Sequence, residues 1–387
     1  MASRNASYYS DKAGEGVSAS GAAGLALADA ALVGLNPQLD KTSDLGAVLN
    51  LLDNASAESA DKLGASLAGA STAVLGMAAM GDVERQLKAI RNRTTTMGVD
   101  QSVANEDMPY VNAWINAEGD RSELSDSESL AGYELNSWGG TVGFDVDICP
   151  TLTAGVALTA MRGDLDATGV DTATGDMDTN YMSVFARYAT GAWTHTFVAT
   201  VGMSDISLNR TVSGVELEGK TDAASFGFMY EVGHVIALDE ECTACLQPVF
   251  NVTWRSTSVD GYSEEGSDLA LKVDGQSLNT VTFGLGARLQ AVVGESMYNR
   301  SSILEARVLA KVDAGDRSGS SDVALAALPE AKSSVDSTEM GAFGLEMGAG
   351  LTLPLGQDGG SVFVDASVEL RSDYTNMNGT VGYRINF

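Results

Sequence analysis

Four cations recur along one short segment of the chain, Arg85, Lys88, Arg91 and Arg93. Read alone, they compensate a helix C-terminus, where the exposed carbonyl ends favour positive charge. Cys242-Thr-Ala-Cys245 has the spacing of a local disulfide, a redox pair or half a metal site. No second CxxC and no βαβ pattern accompanies it, so a structural disulfide or two thiols is expected. The third cysteine is Cys149. The two histidines, His195 and His234, fall on apolar faces beside Trp193 and Ile236, without a motif that would make either the base of a Ser-His pair. The acids Asp164, Asp166, Asp171, Asp176 and Asp178 lack the calcium-loop spacing and its terminal Glu. The expectation is no catalytic residue, no metal and no other cofactor.

The elements that carry these residues change character along the chain. Residues 1–45 are rich in Ala, Gly, Ser and Asp and read as a linker or the remnant of something removed. Residues 46–95 read as helical, with apolar positions such as Val48, Leu52, Leu63, Leu67, Leu75, Leu87 and Ile90 in Ala-rich surroundings. Leu63 to Met80 carries no charge over 18 residues, yet its glycines, alanines and hydroxyls make it slim rather than lipid-loving. Such a helix suits a narrow polar tube. No secretory signal opens the chain, and the strand pattern downstream argues for a piece of a longer precursor over a cytoplasmic protein.

From Pro109 onward the period becomes two. Trp138, Val142, Phe144 and Val146 alternate with Thr141, Gly143, Asp145 and Asp147. Phe226, Phe228, Tyr230 and Val232 alternate with Gly227, Met229 and Glu231. About twelve such segments reach the ~9–11 residues of a tilted membrane strand. Their connections alternate long and short, with long ones near 119–131, 165–177, 207–220, 259–277 and 315–337. That parity is the layout of an up-and-down barrel and has no cause in a Greek-key sandwich. The polar faces hold Asp145, Glu231, Arg255, Glu305, Arg307, Lys311, Asp313, Glu346, Asp365, Glu369, Arg371 and Arg384. Such charges would be costly in a soluble core and cheap in a water-filled lumen. The last strand sets Val381, Tyr383, Ile385 and Phe387 on one side against Gly382, Arg384 and Asn386, and ends on the aromatic. Such an aromatic, with His195 and His234, fits the interfacial girdle of a membrane barrel.

Composition agrees. Among 387 residues there are 43 glycines, the apolar fraction is 44%, and mean hydropathy is only +0.01, too low for a helical membrane protein. A barrel hides half of each strand's polarity in its lumen. A net charge of −29 excludes a nucleic-acid partner.

In its order of parts the chain resembles the C-terminal translocator domain of classical monomeric autotransporters, the type V secretion family. Asn136-Ser137-Trp138-Gly139-Gly140-Thr141-Val142-Gly143-Phe144-Asp145, Thr282-Phe283-Gly284-Leu285-Gly286-Ala287-Arg288 and Gly382-Tyr383-Arg384-Ile385-Asn386-Phe387 are similar to its strands. The resemblance covers roughly residues 45–387. It implies an all-β transmembrane fold, a 12-stranded antiparallel barrel over 96–387 with the helix of 46–95 threaded through the lumen. It implies the bacterial outer membrane, with loops to the cell surface and short turns to the periplasm. The implied partners are outer-membrane lipid, the barrel-assembly machinery, periplasmic chaperones and the chain's own passenger, the barrel itself being a monomer. On that model Arg85, Lys88, Arg91 and Arg93 plug the pore against Asp145, Glu305, Glu346, Asp365 and Glu369, and Val381, Tyr383, Ile385 and Phe387 serve insertion and closure. Members that cut themselves in the pore use an Asn-Asn pair, which this chain lacks. The alternatives are a passive porin, a soluble β-rich adhesin and an outer-membrane lipase.

Overall fold

The computed structural model describes residues 7–14, 16–35, 43–96, 111–127, 130–169, 171–240, 243–295, 301–355 and 360–387. Among the described residues five α-helices precede the strands: α1 Tyr8–Ala13, α2 Ala19–Gly34, α3 Asp44–Asn54, α4 Ala57–Ala68 and α5 Leu75–Thr96. Ser18, Ser43 and Ser56 each turn a side-chain oxygen onto a free backbone N–H of the helix that follows. α4 ends at Gly69, whose φ of +62° is the left-handed conformation that a residue with a Cβ resists. A 3-10 turn, Ala70–Val74, then leads into α5 at a bend of 54°. No single helix among the described residues is long and apolar enough to cross a membrane.

The barrel strands, in chain order, are β1 Val111–Leu124, β2 Gly132–Cys149, β3 Leu152–Thr168, β4 Ala173–Thr190, β5 Trp193–Val212, β6 Val215–His234, β7 Ala244–Val259, β8 Gln276–Glu295, β9 Ser301–Gly315, β10 Phe343–Leu355, β11 Gly360–Arg371 and β12 Tyr374–Asn386. Each pairs antiparallel with the next, and β12 returns to β1 through pairs such as Trp114↔Arg384 and Ala117↔Val381. The sheet is therefore a closed 12-stranded barrel without a free edge. In mid-strand the face turned outward is apolar: Trp138, Phe144, Leu158, Leu285 and Val381 are all exposed. The inward face holds Thr141, Thr159, Arg255, Lys311, Glu346 and Glu369, all buried.

Toward the long-connection end this phase inverts. In β3, Leu165 and Ala167 turn inward while Asp164 and Asp166 turn outward. In β4, Met177 turns inward while Asp176 faces out. The stretches expected as long connections at 165–177 and 207–220 are thus largely strand. β5 and β6 meet in a two-residue hairpin at Ser213 and Gly214, both with positive φ. The reason is that β-structure continues above the lipid, where water is outside and protein is inside. Four further short strands at this end, 333–336, 320–325, 271–273 and 262–263, form a separate antiparallel sheet in that order.

Two apolar clusters result. The larger joins α1–α4 and the 3-10 turn to the inverted strand ends and the small sheet. The smaller lies in the lumen: Leu87 and Ile90 of α5 against Trp114, Ala157, Phe185, Val198 and Met229.

The charged lumen as candidate functional site

α5 runs down the lumen from the long-connection end toward the short turns. Its two long faces differ because 3.6 residues per turn sort the sequence into separate stripes. Val83, Leu87 and Ile90 form one stripe, and Gly227 of β6 leaves room for Leu87 at that contact. Glu84, Lys88 and Arg91 form the other and meet charged wall residues.

The pairs run in both directions. Lys88 bridges to Glu369 of β11, and Arg91 to Glu346 of β10. Arg93 approaches Asp145 of β2 at 3.7 Å and lies over the rings of Trp114 and Phe363 at 5.5 and 5.4 Å. Arg85 reaches Glu118 of β1 at 3.1 Å and Asp82 on its own helix at 2.9 Å. In the opposite sense Glu84 accepts from Arg255 of β7 and from Lys311 of β9, the latter at 2.8 Å. Lys311 also touches Glu346 at 2.8 Å and Glu369 at 2.7 Å, and Arg371 spans Glu369 and Asp313 at 2.6 and 2.8 Å. The pairs of Glu84, Lys88 and Arg91 thus form one continuous network through Lys311, Glu346, Glu369, Arg255, Asp313 and Arg371, and all these charges are almost wholly shielded from solvent. Neutral bonds complete it: Gln86 donates to Thr159 and Ser183, and Asn92 donates to Asp365.

Of the residues singled out in the sequence, Lys88, Arg91 and Arg93 stand beside Glu369, Glu346 and Asp145. Glu305 is held by strand cations, Arg288 at 3.2 Å and Arg307 at 3.5 Å. Asp365 holds Arg307 at 2.6 Å and Asn92 at 3.0 Å. Glu118, Asp82 and Glu84 were not among the singled-out residues. Glu118 stands just before the long connection expected near 119–131, but β1 continues to Leu124 and keeps it inside. Glu84 was legible as the acid four residues before Lys88, the spacing that places two charges on one helix face.

The remaining candidates lie elsewhere. Val381, Tyr383 and Phe387 face outward on β12, and the Phe387 amide donates to the Val111 carbonyl across the closing seam. His195 shares a 2.9 Å hydrogen bond with the Tyr230 hydroxyl and stacks beside Tyr188. His234 packs edge-on against Trp193. Both rings sit in an aromatic band at the short-turn end, the girdle position. Cys242 lies outside the described residues; Cys245 opens β7. Among the described residues no cluster of acids, histidines and cysteines could hold a metal ion.

A family model for the autotransporter β-domain matches residues 113–367. This chain belongs to the autotransporter β-domain family. This autotransporter β-domain is 27% identical over 239 residues to outer membrane protein A of Rickettsia rickettsii, a match covering 54% of this chain and 10% of that protein. It is 27% identical over 190 residues to esterase EstA of Pseudomonas aeruginosa, covering 47% of this chain and 29% of that protein. The chain therefore spans less than a third of the length of either relative. Among solved structures, the translocator domain of the autotransporter NalP from Neisseria meningitidis superposes with a TM-score of 0.61 at 16% identity, covering 79% of this chain and 97% of that one. The transport unit of AIDA-I from Escherichia coli gives 0.51 at 15% identity, covering 76% and 97%. Those identities speak for the fold. The family places the barrel in the bacterial outer membrane as the translocator domain of an autotransporter, and in this chain α5 occupies its lumen. The porin alternative needs an open lumen, which α5 fills, and the soluble alternative needs a polar exterior, which mid-strand lacks.

Proposed function

We propose that the bidirectional ion pairs of α5 are what hold the pore shut after the passenger has passed. The supporting observation is the interlock. Helix cations rest on wall acids while a helix acid rests on wall cations, so an axial shift in either direction separates several pairs at once. A buried charge that loses its partner costs about 3–5 kcal/mol. In this reading Arg85, Lys88, Arg91 and Arg93 are the plug's cations, and Asp145, Glu346 and Glu369 are their main acceptors, joined by Glu118. Glu305 and Asp365 support the network at one remove through Arg307. Within residues 46–95, α5 serves as the plug and α3 and α4 belong to the linker that leads to it.

The outward row of Val381, Tyr383, Ile385 and Phe387 is proposed as the surface that the barrel-assembly machinery and periplasmic chaperones meet before β12 closes on β1. The barrel works as a monomer and carries no catalytic site of its own; His195 serves Tyr230 rather than a serine. The esterase activity named for one relative belongs to that protein.

The test is solvent access at Ala79, a buried position on α5. Cys149, Cys242 and Cys245 are replaced, Ala79→Cys is introduced, and the protein is purified folded in detergent. A maleimide should react only after the barrel is heat-unfolded. Free reaction in the folded state would place the helix outside the lumen and refute the plug.

A further inference from the structure

The inverted strand ends make a surface that a simple pore does not need. Around the long-connection mouth, inward positions are Tyr133, Leu135, Leu165, Ile206, Leu208 and Leu217, each no more than 3% exposed. An apolar ring facing the water of an open mouth would be unfavourable, since exposed apolar area of this size calls for a cover. The start of α5 meets this ring where the Tyr133 hydroxyl donates to the Met77 carbonyl, the 3-10 turn and α4 pack beside it, and Leu25, Leu27, Leu45, Leu52 and Leu67 of α2, α3 and α4 continue the same core above it.

Polar contacts hold this cover at its hinge. Asp171, in the β3–β4 connection, accepts from the Ser71 amide at 3.1 Å and the Ser71 hydroxyl at 2.6 Å. Burial raises the pKa of that carboxyl, with Arg210 and the two Ser71 bonds opposing. Arg210 forks onto Glu264 at 2.6 and 2.7 Å and donates to the Ser66 carbonyl at 2.7 Å. Gln276 accepts from the Gly76 amide at 3.1 Å and donates to the Thr72 carbonyl at 2.8 Å. These three side chains grip the backbone on both sides of Gly69, where the path bends by 54°. The bend takes the chain off the barrel axis and lays α1–α4 across the mouth. Two helices packed side by side are about 20 Å wide, whereas the lumen is filled by one, so the folded cover cannot re-enter it.

We propose that helices α1–α4 form a second closure of the pore, a cap that seats on the apolar rim and shields the mouth independently of the α5 ion pairs. The proposal rests on the plug reading of α5, and its test separates the two. Gly24 of α2 lies against the Gly64 backbone of α4 so closely that a side chain at residue 24 must push the helices apart, far from any barrel strand. In cells displaying the full chain without its native cysteines, single thiols are placed at Ala73, in the buried 3-10 turn that joins cap to plug, and at Ala89, in the plug. Both should resist an impermeant maleimide. Adding Gly24→Leu should speed labelling at residue 73 by about tenfold or more, through opening of the cap alone, and leave residue 89 protected. Asp171→Asn, which alters only the hinge grip, should act in the same order with a smaller increase. Heat-modifiable gel mobility verifies the folded barrel in each case. Continued protection of residue 73 in both variants overturns the cap, and simultaneous exposure of residue 89 overturns its independence. Reaction at residue 89 with Gly24 and Asp171 intact would instead remove the plug reading.

Discussion

Glu84 shows how a single side chain fixes the plug. Its carboxylate lies between Lys88 on its own helix and Arg255 and Lys311 on the wall. Glu84→Gln keeps the shape and removes the charge, so two wall cations lose one acceptor each while Asp313, Glu346 and Glu369 remain to them. We expect a loss of about 3 kcal/mol in plug retention, read as a lower temperature at which a thiol at residue 79 becomes reactive; an unchanged midpoint contradicts this role. The charged residues themselves were visible in the sequence, because alternation separates lumen from lipid. Their pairing was not. Partners such as Glu84 and Arg255 are set by the depth and rotation of α5, and a period-two pattern contains neither. Arg85 illustrates the cost of a misplaced strand end, since its acceptor Glu118 lies where the first long connection was expected to begin and β1 instead runs on to Leu124.

At the scale of the element, mid-strand alternation was legible because lipid imposes it. Leu285 is 68% exposed on the outer face of β8, between Phe250 of β7 and Ala310 of β9. Leu285→Arg should cost about 2–4 kcal/mol if that position lies at the bilayer midplane, measured as reduced folding yield into vesicles; full yield would contradict a lipid-facing β8. Phe387, exposed at the end of β12, belongs to the same outer face. Phe387→Ser should lower the amount of protein in the outer membrane without changing the heat-modifiable mobility of what does insert, and equal amounts would sink the insertion role. Above the lipid the same rule misleads. Asp166 and Asp176 fall in the stretch expected as a long connection, yet there they and Asp164 alternate outward against Leu165 and Met177. The helices of residues 1–45 escaped notice for a related reason. α2 is almost uniformly small and apolar, so its sequence carries no amphipathic period to separate helix from linker.

For the whole molecule, closure is the property that links fold to export. The wall around α5 presents Glu118, Asp145, Glu231, Glu305, Asp313, Glu346, Asp365 and Glu369 against Arg255, Arg288, Arg307, Lys311, Arg371 and Arg384, so acids outnumber bases once the helix and its cations are removed. A lumen of that balance favours cations. The central claim, that α5 occupies the lumen and shuts it, is tested most directly by ion conduction across planar bilayers. The full chain should be closed or nearly so, and the barrel lacking residues 1–96 should conduct steadily with a preference for cations. Equal conductance by the two proteins would mean that α5 does not fill the pore, and would contradict the account.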